Sequence, residues 1–291
     1  MTDILIIGCG YTGRRLADRL VQEGRTVTGV VSGAAGVRGL LDLGVKPLVL
    51  DLDEPESPPP PDEHERIFYL APPPDRGTTD PRLQRFLGRL GRRNPAPRIV
   101  YTSTTGVYGD CGGDLVDEAR PLNPTTDRAR RRADAERRLL DWSRESGGEV
   151  AILRVAGIYG PGRVPVEYVR GGNAVLRDED APFSNRIHVD DLVTACIAAM
   201  ARGVDGQAYN VSDGHPSRMG EFYDLIADLT GQPRPPRITS AEAEGIMSPG
   251  MLSFLRENRR IDNGRLRNEL GVVLKHPSFR EGIPSSLGDR S

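Results

Sequence analysis

Three glycines near the start of the chain, Gly8, Gly10 and Gly13 in "IIGCGYTGRRLADRL", have the spacing G-x-G-x-x-G. The run follows an apolar segment and opens a helical one, the setting in which this spacing cradles a pyrophosphate. Gly8 permits the tight turn, Gly10 lets the backbone approach the anion, and Gly13 lets helix and strand pack closely. The anion then meets the positive end of a helix. Tyr11 and Thr12, inside the same loop, are counted with the glycines as cofactor contacts. A bare glycine turn with no ligand is the bland alternative, and the strand-turn-helix setting argues against it. The second apolar segment ends "VVSGAAGVRG", with Ser32 where a carboxylate would favour NAD, and Arg38 close by. Ser32 does not repel a 2′-phosphate and Arg38 offers it a cation, so NADP(H) is expected over NAD(H).

A second stretch with chemical potential is "TTDRARRRADAERRLLDW", Thr125 to Trp142, which holds six arginines and no lysine; the whole chain has lysine only at Lys46 and Lys275. Asp127, Asp134, Glu136, Asp141 and Glu145 interrupt the arginines. Arg130–Asp134, Arg132–Glu136, Asp134–Arg138 and Arg137–Asp141 have helical pair spacing, each worth about 0.2–0.5 kcal/mol. Such pairing describes a solvated helix face. The formal net charge of −2 also argues against a nucleic-acid partner, which needs a clear positive excess.

The elements that must position these residues alternate. "ILIIG", "RTVTGVV" and "KPLVLDL" read as strands, with helices "TGRRLADRLVQEG" and "GVRGLLDLG" between them. This order predicts parallel strands joined by helical crossovers. "PESPPPP" at 55–61 excludes helix and central strand and reads as a stiff surface loop. Then follow "RIFYLA" (strand), "PRLQRFLGRLGRR" (helix), "RIVYTS" (strand), the arginine helix and "EVAILRV" (strand). Beyond it, "RIHV" and "AYNVS" read as short strands around the helix "DDLVTACIAAMA", and the tail from Gly214 as mainly short helices.

The 291 residues suffice for one large α/β domain or a core with a smaller appendage. Cys9, Cys111 and Cys196 are too few and too far apart for a disulfide framework or a metal site, which fits a reducing cytoplasm. No metal is expected. No leader-like stretch is read at the N-terminus, and no apolar run approaches the roughly 18 residues of a membrane span, so no membrane partner is expected.

Together the motifs resemble the extended short-chain dehydrogenase/reductases, the NAD(P)-dependent epimerase/dehydratase group, and its small atypical members in particular. The resemblance runs nearly end to end through the glycine loop, "LVLDLDE", "IFYLAPP", "VYTSTTGVYGD", "LRVAGIYGPG", "RIHVDDLVTA", "AYNVSDG" and "RIDNGRLRNELG". It implies a Rossmann-type doubly wound parallel sheet with a small, mostly helical C-terminal substrate lobe. Residues 1–158, completed by 186–212, would form the dinucleotide-binding core, and 159–185 with 213–291 the lobe. It places Asp51 and Leu52 beside the adenine; Leu70, Ala71 and Pro72 along the cofactor; Thr102 and Ser103 beside it; and Thr104 at the catalytic Ser/Thr position. The alternative for Thr102 to Thr105 is that their hydroxyls merely satisfy a strand end.

The pattern then breaks. The family's Tyr-x-x-x-Lys transfers a proton through a phenol whose pKa the lysine lowers from about 10. Counting back from Glu136, Arg132 stands at the lysine position and Arg128 at the tyrosine position. Arg132 can bond a ribose, but Arg128 cannot be a general base, because guanidinium stays protonated below a pKa of about 12. Tyr108, Asp110, Asp117 and His188 are weaker substitutes; His188 reads as structural, and Asp190 and Asp191 as helix caps. Asn185 and Arg186 would face the substrate, with Ser184 where sugar-nucleotide members often carry an arginine. Arg163 and Arg170 read as surface charges that an anion could meet. The expected activity is hydride transfer on a small hydroxyl or carbonyl substrate. The alternative is a non-catalytic dinucleotide-binding sensor. A homodimer through the arginine helix is left open by its narrow apolar stripe.

Overall fold

In the strand Asp3–Ile7 (β1), Ile4 and Ile6 turn to one side and Leu5 and Ile7 to the other, and all four are buried. That alternation without a polar face is what a strand covered on both sides requires. Six further strands join it: Val27–Val31 (β2), Lys46–Val49 (β3), His64–Tyr69 (β4), Arg98–Thr104 (β5), Glu149–Val155 (β6) and Ala208–Val211 (β7), of which the edge strand β3 is the least covered. They form one sheet in the order β7-β6-β5-β4-β1-β2-β3, every neighbouring pair parallel. The computed structural model describes residues 3–54, 64–90 and 95–288. The proline-rich stretch 55–61 and the end of the expected helix at 91–93 lie outside them.

Helices Tyr11–Gln22 (α1) and Val189–Arg202 (α5) cover one face through Leu16, Leu20, Leu192 and Cys196. Helices Pro81–Leu90 (α3) and Asp127–Ser146 (α4) cover the other through Leu83, Phe86, Leu139 and Trp142. Between β2 and β3 the expected helix shrinks to a 3-10 turn at Ala34–Gly36 and four residues, Arg38–Leu41 (α2). Gly36 and Gly39 in that stretch are poor helix formers. The strand order reverses between β1 and β4, which opens a crevice at the carboxyl ends of the strands.

The second half is held on by very short pairings, of whose strands only Arg186–His188 falls in an expected one. Gly157–Tyr159 pairs with Arg186–His188, Val175–Leu176 with Arg237–Ile238, Phe183–Ser184 with Ser217–Arg218, and Leu115–Val116 with Arg260–Ile261. Helix Met219–Thr230 (α6) contributes Phe222, Tyr223 and Ile226 to a separate apolar cluster with Tyr159, Val169, Phe279 and Ile283. Among the described residues no helix is long and apolar enough to cross a membrane.

Candidate active site

The glycine loop closes one end of a cavity of about 570 Å³. Gly8 has φ +94°, and a Cβ there would lie 2.6 Å from the backbone nitrogen of Ala71. A Cβ on Gly13 would lie 2.4 Å from the Gly8 carbonyl oxygen, whereas one on Gly10 would meet nothing within 4 Å. Two glycines thus serve close packing, and the third keeps open space before the N-terminus of α1. No side chain caps that terminus. This is the shape and polarity a pyrophosphate needs, so the residues fit a dinucleotide.

Ser32, Asp51, Leu52, Ala71 and Pro72 line this cavity with Gly8 and Gly10. Leu70 packs against the core instead, and Arg38 is exposed on α2, off the wall. Tyr11 and Thr12 lie in the first turn of α1. The Tyr11 ring sits between the guanidiniums of Arg15 and Arg163, at 3.9 and 4.2 Å, and its hydroxyl donates to the Pro161 carbonyl at 3.1 Å. Two charged wall residues escaped sequence reasoning, Asp53 and Arg82. Arg82 donates to Asp53 at 2.7 Å and to the Pro72 carbonyl at 3.0 Å, and holds the Asp53 carboxyl below the usual carboxylate range. "LVLDLDE" was a signal for Asp53, but nothing local marked Arg82.

A second cavity, of about 460 Å³, opens at the end of β5. It brings together Ser103, Thr104, Arg128, Arg132 and Asn185. Thr126 caps α4, and the i,i+4 spacing stacks Arg128, Arg132 and Glu136 along one helix face. Arg128 lies 3.4 Å over the Phe254 ring. Arg132 donates to the Tyr101 hydroxyl at 3.1 Å and to the Thr102 carbonyl at 2.9 Å. Glu136, deepest of the three, accepts from Ser103 Oγ and pairs with Arg154 at 2.8 Å. The Ser103 hydroxyl is therefore engaged behind the wall. Thr102 lies off both cavity walls, its hydroxyl donating to the Tyr69 carbonyl at 3.4 Å. Thr104 Oγ1 accepts the Gly106 N–H at 3.2 Å, which caps the following turn.

Several expected contacts change partner. Arg138–Asp134 forms at 2.7 Å and Arg137–Asp141 at 4.0 Å, but Arg130 pairs with Asp127 at 2.9 Å. Arg132 and Glu136 turn away from each other to the partners above. Arg186 was expected to face the cleft with Asn185; it is buried and off that wall, because its side chain turns into the aromatic cluster of Phe222 and Phe279. There Arg186 donates to Ser217 Oγ at 2.8 Å and lies 4.1 Å over Phe222. Burial pushes its guanidinium down to about 10, against the pull of Asp213; burial pushes Asp213 itself up to about 6. Asn185 reaches the cavity wall with its amide already bonded to Arg259 and Ile261 backbone at 3.0 and 2.9 Å.

None of the substitutes for the tyrosine lines this cavity. Tyr108 donates to Asn210 at 2.8 Å and accepts from Arg154 at 2.9 Å, and burial pushes it up to about 12. Asp110 and Asp117 accept backbone N–H groups of Gly112 and Ala119 at 3.2 and 3.0 Å. His188 itself caps α5, its Nδ1 accepting the Asp190 N–H at 3.2 Å, while Nε2 lies 3.1 Å from Ser286 Oγ. Asp191, expected as a cap, instead accepts the backbone N–H groups of Lys275 and His276 at 2.7 and 2.9 Å and so pins the tail. His188, Asp190 and His276 bring ligand-type atoms within 4.8 Å of one another, a grouping the sequence did not announce. Both ring nitrogens of His188 are already engaged there.

A doubly wound parallel sheet, an open glycine loop at its switch point and a hydroxyl-bearing strand end beside it define an oxidoreductase-like dinucleotide-binding protein of the short-chain type. The profile of the NAD dependent epimerase/dehydratase family matches residues 82–212. Protein YeeZ from Escherichia coli (strain K12) is 30% identical over 288 residues, 95% of this chain and 97% of that one. A functionally unknown conserved protein from Silicibacter pomeroyi DSS has a solved structure that superposes with a TM-score of 0.86 at 33% identity, covering 99% of each chain. The UDP-glucose 4-epimerase of Thermotoga maritima, solved with UDP-glucose, shares the fold at a TM-score of 0.79 and 21% identity, over 98% of this chain and 97% of that one. The chain belongs to the NAD dependent epimerase/dehydratase family.

Proposed function

We propose that the chain binds NADP(H) behind the glycine loop and a small hydroxyl- or carbonyl-bearing substrate around Thr104, as an oxidoreductase or epimerase with altered acid/base machinery. The observation that carries this reading is the meeting of Thr104, Arg128 and Arg132 in one cavity at the same end of the sheet as the glycine loop. In this reading 1–158 with 186–212 form the dinucleotide-binding body, and 159–185 with 213–291 the substrate lobe. Ser32 on the cofactor wall supports NADP(H). Arg38, exposed and off that wall, adds nothing to the preference, which rests on the missing carboxylate.

A bound nicotinamide would supply or accept the hydride. Thr104 Oγ1 accepts the Gly106 N–H, which leaves its own proton to donate to a substrate oxygen. Arg132 is fixed by the Tyr101 hydroxyl and the Thr102 carbonyl, and provides the standing positive charge that a lysine gives elsewhere in the family. Neither guanidinium takes up a proton at neutral pH. Proton transfer falls to solvent or to Glu257, the one carboxylate among the described wall residues.

Calorimetry with NADPH and NADH tests the cofactor; equal or reversed affinities refute the Ser32 argument. A screen of small aldehydes and ketones for NADPH oxidation tests the chemistry. A second reading, a non-catalytic dinucleotide sensor, has its own support: no tyrosine, lysine or histidine stands among the described wall residues. Tight dinucleotide binding with no turnover across the screen selects it. The free, buried cysteines suit a reducing cytoplasm. On α4, Arg130, Arg137, Arg138 and Arg144 pair with the helix's own carboxylates, which supports a small-molecule role over nucleic acid. Sedimentation decides between monomer and homodimer.

A further inference from the structure

We infer that the substrate carries an oxyanion, a carboxylate or a phosphate, and that Arg128 is the residue that grips it. This rests on the reading of the Thr104 cavity as the substrate site. The wall holds four arginines, Arg128, Arg132, Arg163 and Arg259, against the single carboxylate Glu257. Glu257 is already engaged: it accepts from Arg259 at 2.8 Å and from Thr125 Oγ1 at 2.9 Å. That pair neutralises one arginine and leaves the other three.

Those three are not equivalent. Arg132 is anchored through Nη1, which donates to the Tyr101 hydroxyl and the Thr102 carbonyl, both neutral. Arg163 is exposed at the rim, over the Tyr11 ring. Arg128 is half-buried, and among the described residues it donates no hydrogen bond and has no acidic partner within 4.0 Å. What fixes it is the Phe254 ring, 3.4 Å from the guanidinium carbon. A guanidinium held over a ring uses its face for the contact and keeps its N–H donors at the edge. Such an edge matches the two oxygens of a carboxylate or phosphate.

The surroundings make the unpaired cation costly, which an anion would relieve. Burial lowers the Arg128 guanidinium below its usual range; Glu257 pulls it up and Arg259 pushes it further down. The position matters as much as the charge. Arg128 lies one helical turn before Arg132 on α4, so an oxyanion gripped there leaves the rest of a short molecule to reach Thr104. Recognition moves to the place where the family carries its proton-transferring phenol. Asn185, with its amide committed to backbone, contributes shape to this end of the cavity.

The test uses the full chain saturated with NADPH, and calorimetry with malonate, inorganic phosphate and the uncharged isostere malonamide. Malonate or phosphate is expected to bind and malonamide not to, and which of the two binds tighter separates carboxylate from phosphate recognition. Arg128→Met is expected to weaken the bound anion at least tenfold and Arg128→Lys less, with NADPH affinity unchanged. Arg144→Met, which removes an exposed arginine paired with Asp141, serves as control and leaves anion binding intact. If Arg128→Met does not fold, Arg128→Lys alone decides, because the lost fork still weakens a two-point contact. Absence of anion binding, equal binding of malonamide, or anion affinity untouched in both variants overturns the inference. Failure of NADPH and NADH to bind, with malonate still held through Arg128, overturns the dinucleotide reading and leaves the anion site standing.

Discussion

Glu136→Gln removes the charge from the most deeply enclosed ion pair described in the molecule. The Glu136 and Arg154 side chains are 3% and 10% exposed, so solvent does little to screen them. Arg154 donates to both Glu136 oxygens and to the Tyr108 hydroxyl, while Ser103 Oγ donates to Glu136 from β5. One carboxylate thereby ties α4 to two neighbouring strands just below Thr104. Removing one partner of such a pair strands the other charge and costs about 3–5 kcal/mol. Glutamine keeps the shape and one accepting oxygen, which places the expected loss near the lower end, about 3 kcal/mol. A domain of this size loses roughly 2–4 °C of melting temperature per kcal/mol, so scanning calorimetry is expected to show a fall of roughly 6–12 °C. Replacing both partners, Glu136→Leu with Arg154→Met, leaves no stranded charge and is expected to recover most of the loss, since apolar replacement of a buried pair is often neutral. A Glu136→Gln shift under about 2 °C, or a double variant that simply adds the two single losses, refutes the argument that the pair is coupled and unscreened.

The glycine loop separates packing from binding. Gly13→Ala places a Cβ 2.4 Å from the Gly8 carbonyl oxygen and is expected to lower both stability and dinucleotide affinity, although alanine favours helix by about 1 kcal/mol. Gly10→Ala has open space around its Cβ and is expected to melt within about 2 °C of the parent while losing at least tenfold in NADPH affinity by calorimetry. Thr104→Val is expected to keep NADPH affinity and abolish any NADPH oxidation found in the carbonyl screen; undiminished turnover removes Thr104 from the chemistry. Asp213, raised to about 6 by burial despite Arg186 and His215 nearby, keeps its proton more tightly folded than unfolded, so its contribution to stability grows as pH falls from about 6 to about 4. His188, lowered to about 4 by burial and by His276, acts oppositely, with stability lost as pH falls from about 6.5 to about 4. Asp213→Asn is expected to unmask the His188 slope, a loss of stability on acidification measured by urea unfolding; an unchanged pH profile refutes it.

What the sequence made legible was local. The strand alternation of β1 and the glycine spacing repeat over a few residues, and each has one structural meaning in a βαβ order. The positions of Arg128 and Arg132 followed from the family resemblance, counted back from Glu136, and they reach one cavity together. Their partners did not follow. Arg132–Glu136 has the right spacing for a helix-surface pair, worth about 0.2–0.5 kcal/mol. A buried Arg154 that bonds both oxygens of the same carboxylate outcompetes it, and Arg154 comes from another strand. Arg186 was misplaced because its partners, Phe222 and Phe279, come from helices far along the chain. Arg82 and Glu257 reach the cavity walls only through tertiary packing.

The exchange of residue types on α4 divides the family's chemistry into two parts with different physical requirements. A lysine beside a tyrosine supplies positive charge, and arginine supplies that charge as well, with a fixed fork in place of a mobile ammonium. A phenol supplies a proton that can leave and return near neutrality, and no arginine does this. On the proposed reading the chain keeps the electrostatic half at Arg132, bonded to the strand end where Thr104 stands. At Arg128 it has a group suited to holding an anion. Hydride transfer to a substrate that brings its own acidic proton, or that takes one from water, needs only what this cavity retains. Epimerisation of an unactivated sugar hydroxyl needs the missing phenol. Retention of carbonyl reduction with loss of epimerisation is the outcome this division requires, and robust epimerisation of UDP-glucose at neutral pH would contradict it.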